Sequence, residues 1–502
     1  MTAPDSSIPA WLLRARELAR RTARTVRDSL VLAEHAVKNA AEIVKAVDRD
    51  SRAVAHDAVA LWRATADAAR EMQARAQATP RVARVLSEMV RLATAYRLHH
   101  LKAAFLSDER AEVELQALHA REAARVRALC EELGGGILKV GQFVSCRADL
   151  LPAAWLAELS QLQDRVPADA PDAVRALLEE ELGRTIEEVF ASFEVEPIAA
   201  ASLAQVHRAT TLDGRPVAVK IQRPGIAQVI GSDRRALALL ADLLGPILPG
   251  LDAKAVATEL ARSLEAELDY RAEAAHAAAF RAALSGIGVA VPEIDTTLST
   301  GRVLVMELVA GERLVDFVVA SYGRDATEER ERVLASLARS VADAVLVHGL
   351  VHADPHPGNF LVRPGGELVL LDFGAVTVLT EDERRAYVEL MPVMFAGDMA
   401  RMLPLLTRLG FSAPDPEVPA IYAREVIGRV LASNDLSGID PRAELERGLA
   451  IARDHPGLVV PGHFVQLGRS LAGLSGLFLV HAPTLQLGKL LLETVVRASR
   501  QA

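Results

Sequence analysis

Aromatic side chains, cysteines and long apolar runs are all scarce in this sequence. Phe, Trp and Tyr together make up 4% of the 502 residues, so Ala, Leu and Val must fill the predicted core. Cys130 and Cys146 are the two cysteines, which excludes a disulfide framework and a cysteine metal site. We interpret both as small, buried apolar residues of a protein in a reducing compartment.

The chain also lacks an excess of basic charge and an apolar segment that could span a bilayer. Its net charge of -9 argues against a nucleic acid as partner. The apolar residues at 11–13 are followed by charge, unlike a signal peptide. The apolar run over 471–480 is well short of the roughly 20 residues that a spanning helix needs. We expect a cytoplasmic protein, either free or peripheral to a membrane.

A set of polar residues between 352 and 374 indicates a phosphoryl-transfer site. Asp354 precedes Asn359 by five residues, and Asp372-Phe373-Gly374 follows two short apolar segments that flank Pro364-Gly365-Gly366. Those segments predict a β-hairpin, which would bring Asn359 and Asp372 to one end of the strand pair. Asp354 would position the attacking hydroxyl, while Asn359 and Asp372 are oxygen ligands that suit Mg²⁺. The pattern is typical of a kinase-like site.

Upstream, the sequence predicts three strands over 195–223, with Lys220 near the end of the third. The tetrad over 217–220, Val-Ala-Val-Lys, is where protein kinases place the lysine that binds the nucleotide phosphates. Alanine replaces the usual glycine-rich loop, and alanine resists the positive φ angles that glycine adopts. We therefore expect a stiffer phosphate-covering loop. Its predicted residues are Ala199, Ala200, Ala201 and Ser202.

Two further parts of a small lobe are predicted from the segments that follow. A kinase fold needs a helix glutamate that pairs with the strand lysine. The helical segment over 265–274 offers several acids for that role, namely Glu265, Glu267, Asp269 and Glu273. The apolar strand over 303–309 would end in a hinge whose backbone, at Glu307 and Val309, meets adenine. The segment after Gly374 is short and lacks Ala-Pro-Glu, so a peptide-docking platform is not predicted.

These segments together resemble the UbiB family of atypical kinases, also called the AarF or ADCK family. The resemblance runs from about Val126 to at least Met394. Its motifs are the Lys-Val-Gly-Gln at 139–142, the alanine stretch at 199–202, Glu-Leu-Asp at 267–269, the 352–359 stretch and Asp-Phe-Gly at 372–374. It implies an α+β, bilobal protein-kinase-like fold, with a small mixed β-sheet N-lobe, a helical C-lobe and a large N-terminal helical extension.

The resemblance also implies roles for particular residues. Glu273 would pair with Lys220, whereas Glu267 and Asp269 would hold a helical layer in which Lys139 and Gln142 gate the site against bulky substrates. The predicted regions are an N-terminal helical region over 1–125, an extension with the Lys-x-Gly-Gln motif over 126–194, an N-lobe over 195–310 and a C-lobe over 311–502.

The function that the resemblance implies is an atypical kinase or ATPase that binds ATP or ADP with Mg²⁺. It would support isoprenoid-quinone or related prenyl-lipid metabolism, with a lipid or quinone precursor as ligand, at the surface of a membrane. Two alternatives stay open. One is a small-molecule phosphotransferase of the aminoglycoside or choline kinase type, which uses a similar Asp and Asn pair. The other is a non-catalytic, nucleotide-gated lipid-binding scaffold.

Overall fold

The computed structural model describes most of the chain from Pro80 onwards. The described residues are 80–103, 105–145, 151–162, 167–244, 253–324, 326–353, 355–425, 451, 455 and 457–501. The predicted N-terminal helical region is thus described from Pro80 only, and its part over 1–79 lies outside the described residues, as do Cys146 and Asp354. Over 80–133 the prediction of long helices is confirmed.

Helices dominate both ends of the described chain, and the strands lie between them. The helices are α1 (Pro80–Ala103), α2 (Asp108–Leu133), α3 (Gly135–Ser145), α4 (Ala153–Leu159), α5 (Pro171–Leu182), α6 (Ile186–Val189), α7 (Ile226–Leu244), α8 (Ala253–Ala266), α9 (Tyr270–Ala283), α10 (Leu314–Gly323), α11 (Thr327–Leu346), α12 (Glu381–Ala396), α13 (Met399–Arg408), α14 (Val418–Ala423), α15 (Gly462–His481) and α16 (Leu487–Gln501). The strands are β1 (Phe190–Ala200), β2 (Ala204–Thr211), β3 (Pro216–Gln222), β4 (Val289–Ala290), β5 (Val303–Glu307), β6 (Glu312–Arg313), β7 (Leu350–His352), β8 (Phe360–Val362), β9 (Leu368–Leu370) and β10 (Val376–Val378). Among the described residues, no helix has both the length and the apolarity that crossing a bilayer requires.

The chain forms two compact units, and each unit is assembled from separate stretches of sequence. The first unit contains the described residues up to 162, Ala201–Leu203 and Gly225–Glu265. The second contains Pro167–Ala200, Ala204–Pro224 and the residues from Ala266 onwards. The four sequential regions proposed from the sequence are a different division, and their boundaries stay a prediction.

The first unit is helical, and small side chains fill much of its core. Its buried residues are Val82, Val85, Ala123, Cys130, Ile137, Leu138, Trp155, Leu159, Leu162 and Ala236. Cys130 has the buried apolar position that the sequence predicts. Burial raises the pKa of its thiol to about 12, so the thiol stays protonated and unreactive at neutral pH.

A glycine turn separates α2 from α3 in this unit. The Gly-Gly-Gly run at 134–136 predicts the end of a helix, and this prediction is confirmed. The helix α2 ends at Leu133, and Gly134 caps it at φ 61° with its N–H bonded to the Cys130 carbonyl. Farther along α3, the glycine at 141 predicts a close approach of another backbone, but the neighbours of Gly141 are side chains. A Cβ there would lie 2.7 Å from Leu162 Cδ1 and 2.9 Å from Cys130 Sγ.

The second unit contains the small sheets and the remaining helices, as the kinase-like fold requires. One sheet has the strand order β1-β2-β3-β5 and is antiparallel throughout. A second four-stranded sheet has the order β4-β9-β8-β6, in which β4 and β9 pair in parallel, and β10 and β7 form a two-stranded sheet. The first sheet and the helices before it enclose one apolar core, while α11 is central to a second. The predicted α+β kinase-like fold is confirmed.

The alanine stretch differs from the predicted loop. Ala199 and Ala200 still belong to β1, where they pair with Val206 and Gln205 of β2. Only residues 201–203 connect the two strands. Because the strand pairing continues to Ala200, the loop is shorter than the four residues predicted from the sequence.

The hairpin predicted between the two halves of the catalytic pattern is confirmed. Phe360 pairs with Leu370 and Val362 with Leu368. After Gly374 the chain adds β10, which pairs with β7. The sequence predicts a helix from Glu381, and α12 begins there. Thr380 caps it by accepting a hydrogen bond from the Glu383 N–H.

Candidate active site

Lys220 and Glu273 form an ion pair inside the second unit. Lys220 lies on β3 between Val206 of β2 and Leu304 of β5, so its backbone is fixed from both sides. Its Nζ donates a hydrogen bond of 2.6 Å to Oε1 of Glu273, in the first turn of α9. The pair is largely shielded from water, since the Lys220 side chain is 19% exposed and the Glu273 side chain 3%.

Charges around this pair favour an ammonium at Lys220. Burial acts to lower the pKa of the Lys220 amine, but the charges of Glu273 and then Asp372 outweigh it and raise that pKa. The Lys220 Nζ also lies 5.1 Å from the centre of the buried Tyr270 ring. Burial raises the pKa of the Glu273 carboxyl, and Lys220 opposes that rise. Lys220 is therefore charged and within electrostatic reach of two carboxylates.

One face of α9 holds the Asp-Phe-Gly segment. Glu273, His276 and Phe280 are spaced three and four residues apart, so their side chains project from the same side of the helix. The His276 Nδ1–H donates a hydrogen bond of 3.2 Å to the Phe373 carbonyl. The Phe280 and Phe373 rings are 5.6 Å apart. The helix that supplies the partner of Lys220 therefore also fixes the backbone beside Asp372.

His352 anchors the same segment from β7. Its Nε2 donates a hydrogen bond of 2.8 Å to the Asp372 carbonyl, and its ring lies edge-on to Phe280 at 5.8 Å. The Asp372 carboxylate accepts from the Gly374 N–H at 2.9 Å. The backbone and the side chain of Asp372 are thus each held by a hydrogen bond.

Asn359 is placed opposite this segment by the hairpin. It ends a single helical turn over Pro357–Asn359, and its carbonyl accepts a hydrogen bond of 2.9 Å from the Leu371 N–H. Asn359 and Asp372 therefore meet at one end of the strand pair, as predicted, and both side chains are partly exposed. An amide oxygen and a carboxylate are ligands that suit Mg²⁺. Asp354 lies outside the described residues.

The predicted hinge begins at Glu307, the last residue of β5. The Glu307 N–H donates to the Glu293 carbonyl at 2.8 Å, and the Leu308 N–H donates to the Pro216 carbonyl at 3.2 Å. The Glu307 carboxylate pairs with Arg363 at 2.8 Å. Because that carboxylate is engaged by Arg363, a contact of Glu307 with adenine would use its backbone carbonyl, two residues before Val309.

The residues predicted to gate the site are divided between the two units. Lys139 and Gln142 lie on α3 of the first unit, partly exposed, where the Gln142 amide donates to the Leu162 carbonyl at 3.4 Å. In the second unit, Glu267 lies in the turn before α9. Asp269 is the N-cap of α9, because its Oδ1 accepts from the Arg271 and Ala272 N–H groups. Asp269 thus has a local role as well, at the start of the helix that carries Glu273.

Several site residues were not found from the sequence. Tyr270, His276 and Phe280 belong to the face of α9 that contacts Lys220 and Phe373, and their spacing along the helix was the available signal. Of the acids left open, Glu265 is on α8 of the first unit and pairs with Arg234 at 2.8 Å. The partner of Lys220 is Glu273.

Comparisons with known proteins agree with this geometry. Residues 161–406 match the family model of the ABC1 atypical kinase-like domain. AarF domain-containing protein kinase 1 of Xenopus tropicalis is 36% identical over 320 residues, which cover 62% of this chain and 60% of that protein. The chloroplast protein ACTIVITY OF BC1 COMPLEX KINASE 8 of Arabidopsis thaliana is 35% identical over 298 residues, which cover 58% of this chain and 38% of that protein. This chain thus spans less than two thirds of these relatives.

A solved structure extends the likeness to three dimensions. The complex of Rv3197 with erythromycin, from Mycobacterium tuberculosis, aligns with a TM-score of 0.52 at 26% sequence identity. The alignment covers 76% of this chain and 97% of that one. The domain match, the relatives and the shared fold lead to one conclusion: the chain belongs to the UbiB family of atypical kinase-like proteins, also called AarF or ADCK.

Proposed function

We propose that this protein is an atypical kinase or ATPase that binds ATP or ADP with Mg²⁺ and acts in isoprenoid-quinone or related prenyl-lipid metabolism. The observation that carries the proposal is the ion pair of Lys220 and Glu273 beside the Asp-Phe-Gly segment. The Glu273 carboxylate accepts from the Lys220 ammonium, and α9, the helix of Glu273, also holds the Phe373 carbonyl through His276. This arrangement favours phosphate binding by a lysine whose position depends on the metal-binding segment.

Each residue of the candidate site would have a separate role in phosphoryl transfer. Lys220 would bind the nucleotide phosphates, and Asn359 and Asp372 would hold the metal. When bound, Mg²⁺ would neutralise phosphate charge. The hydrogen bonds from His352 and Gly374 keep Asp372 oriented. Asp354 would position the acceptor hydroxyl or water, and the backbone of Glu307 and Val309 would bind adenine.

Nucleotide binding is tested by the thermal shift that Mg-ATP produces. A ligand at about one hundred times its Kd stabilises a protein by about 2.7 kcal/mol, so the wild-type melting temperature should rise clearly. Asp372→Asn removes the charged metal ligand and should abolish that rise. Asp316→Asn is the matched control, because Asp316 of α10 pairs with the exposed Arg313 of β6. An equal shift in wild type and Asp372→Asn would reject the metal assignment.

The link to prenyl lipids is supported by family membership and needs its own test. We propose that cells lacking this protein have an altered profile of quinones and prenyl lipids. Wild type should restore the profile, and Asp372→Asn should not. A normal lipid profile in the deletion strain would remove the metabolic part of the proposal and leave nucleotide binding as a separate question.

The Rv3197 structure favours a second candidate ligand class, because that protein was solved with a macrolide, erythromycin. A bulky small molecule of this kind would suit either a small-molecule phosphotransferase or a nucleotide-gated binding scaffold. ATP turnover measured alone, with liposomes, with a quinone-like phenol and with erythromycin separates these functions. A phosphotransferase would yield a phosphorylated acceptor. A scaffold would bind nucleotide and release no phosphate in any arm.

A further inference from the structure

Arg81 and Asp233 form a buried ion pair in the first unit that the proposed chemistry does not use. Arg81 is in the first turn of α1, and Asp233 lies on α7, 152 residues later. The Arg81 Nε donates to Asp233 Oδ1 at 2.5 Å, and Nη2 donates to Oδ2 at 2.9 Å. The Asp233 side chain is 1% exposed. The two-point contact fixes both the distance and the orientation of the two helices.

The same two side chains hold the turn between α2 and α3. Arg81 Nη1 donates to the Leu133 carbonyl at 2.6 Å, and Nη2 donates to the Gly134 carbonyl at 2.8 Å. These carbonyls lie at the C-terminal end of α2, where a cation is favoured. Asp233 Oδ2 accepts from the Ile137 N–H at 3.2 Å, in the first turn of α3, where an anion is favoured. Each charge thus sits at the helix end that it stabilises.

The glycines of the turn leave room for this pair. A Cβ on Gly136 would lie 2.7 Å from Asp233 Oδ2 and 2.9 Å from Ile230 Cδ1. A Cβ on Gly135 would lie 3.2 Å from Arg81 Nη2, and its φ of +56° also favours glycine. The Gly-Gly-Gly run at 134–136 therefore does more than end α2: it lets the ion pair reach the backbone.

We propose that Arg81 and Asp233 are positioning residues for α3 and, through it, for the gating pair Lys139 and Gln142. The helix has 11 residues, and Lys139 follows the held Ile137 by two positions, so fixing the first turn fixes the direction of the helix. Asp233 is on α7, which follows the Lys220 strand β3 after three residues. We call the pair of Arg81 and Asp233 the clamp. Its connection to the gating residues rests on the proposed function.

Amide hydrogen exchange tests the clamp without any nucleotide. In the full chain, Arg81→Lys keeps the charge but loses the planar fork, and Asp233→Asn keeps the shape but loses the charge. Both should raise exchange over residues 137–145 by about tenfold, because α3 opens locally more often. Arg84→Lys is the matched control, since Arg84 has a more exposed side chain than Arg81 and pairs with Glu88 of α1 and Glu132 of α2. Unchanged exchange in both clamp variants would overturn the proposal.

A double-mutant cycle then tests the connection to gating. Arg81→Lys should change the ratio of the ADP and ATP dissociation constants by about fivefold. In a Lys139→Met background the same substitution should leave the ratio unchanged, because its effect passes through Lys139. An effect that persists in that background would overturn the gating role. If wild type binds no nucleotide, the proposed function and the gating role both fail, while the exchange result still decides whether the clamp holds α3.

Discussion

The two units each contain a buried ion pair that joins distant parts of the chain, and the two pairs are built differently. In the first unit, the Arg81 guanidinium uses its planar fork on the Asp233 carboxylate and on two helix-end carbonyls. In the second, Lys220 donates to one oxygen of Glu273 and faces the Tyr270 ring. One cation has a rigid set of partners, and the other is a compact charge on a flexible stem.

That difference fits the roles proposed above, a structural role for the Arg81 pair and nucleotide binding for Lys220. An arginine held by four hydrogen bonds in fixed directions suits a permanent junction between helices. A lysine can add or exchange oxygen partners by small rotations, and its raised pKa keeps it charged while it does so. An arginine in the clamp and a lysine in the candidate site thus agree with the different roles proposed for the two pairs.

The largest expected effect comes from breaking the clamp completely. Arg81→Ala should lower the free energy of unfolding by about 3–5 kcal/mol, because it leaves the Asp233 carboxylate buried without its partner. Urea denaturation at constant pH measures the loss. Arg84→Ala, at a more exposed position of the same helix, should cost less than about 1 kcal/mol. Equal losses of unfolding free energy in the two variants would show that the clamp is no stronger than an ordinary surface ion pair.

Breaking the site pair should cost less, and the cost should depend on pH. Lys220→Met removes the charge that opposes the rise in the Glu273 pKa, so that carboxyl takes up a proton more readily in the folded state. A carboxyl whose pKa is raised on folding destabilises the protein as the pH rises above its ordinary value of 4.5. We expect a loss of roughly 2–3 kcal/mol at about pH 8 and a smaller one at about pH 5. A loss independent of pH would contradict this account.

The smallest expected effect is at the start of the helix that carries Glu273. Asp269→Ala removes the cap of α9 and should cost about 1 kcal/mol in unfolding free energy. Asp398→Ala is a matched control, because Asp398 caps α13 by accepting from the Arg401 N–H, and α13 carries none of the predicted site residues. We expect similar stability losses from the two variants, with weaker Mg-ATP binding only in Asp269→Ala. Equal nucleotide affinities would confine Asp269 to a structural role.

Features that depend on residues close together in the sequence could be predicted, whereas features that depend on distant residues could not. The hairpin before Asp372 was predictable because apolar segments flank a Gly-Gly turn, and so was the end of α2 at Gly134. Glu273 needed the family resemblance, since four nearby acids share the same local pattern. The start of β1 at Phe190 was missed by five residues because the strand prediction began at 195.

The clamp lay beyond sequence reasoning for a physical reason. Arg81 is one of many arginines on polar helices, and nothing near it in sequence distinguishes it from Arg84. Its partner Asp233 is 152 residues away on a helix of another segment. The pair forms only when tertiary packing brings α1, α2, α3 and α7 together. The spacing of residues along the sequence does not predict that packing.

The single face of α9 also determines how the catalytic machinery can be switched. Glu273, His276 and Phe280 all project from one side of α9. A rotation of this helix would therefore break the Glu273 contact with Lys220, the His276 bond to the Phe373 carbonyl and the contact between the Phe280 and Phe373 rings together. Partial disengagement is disfavoured by this geometry. A small molecule that binds beside α9 and rotates it would therefore break all three contacts in one step.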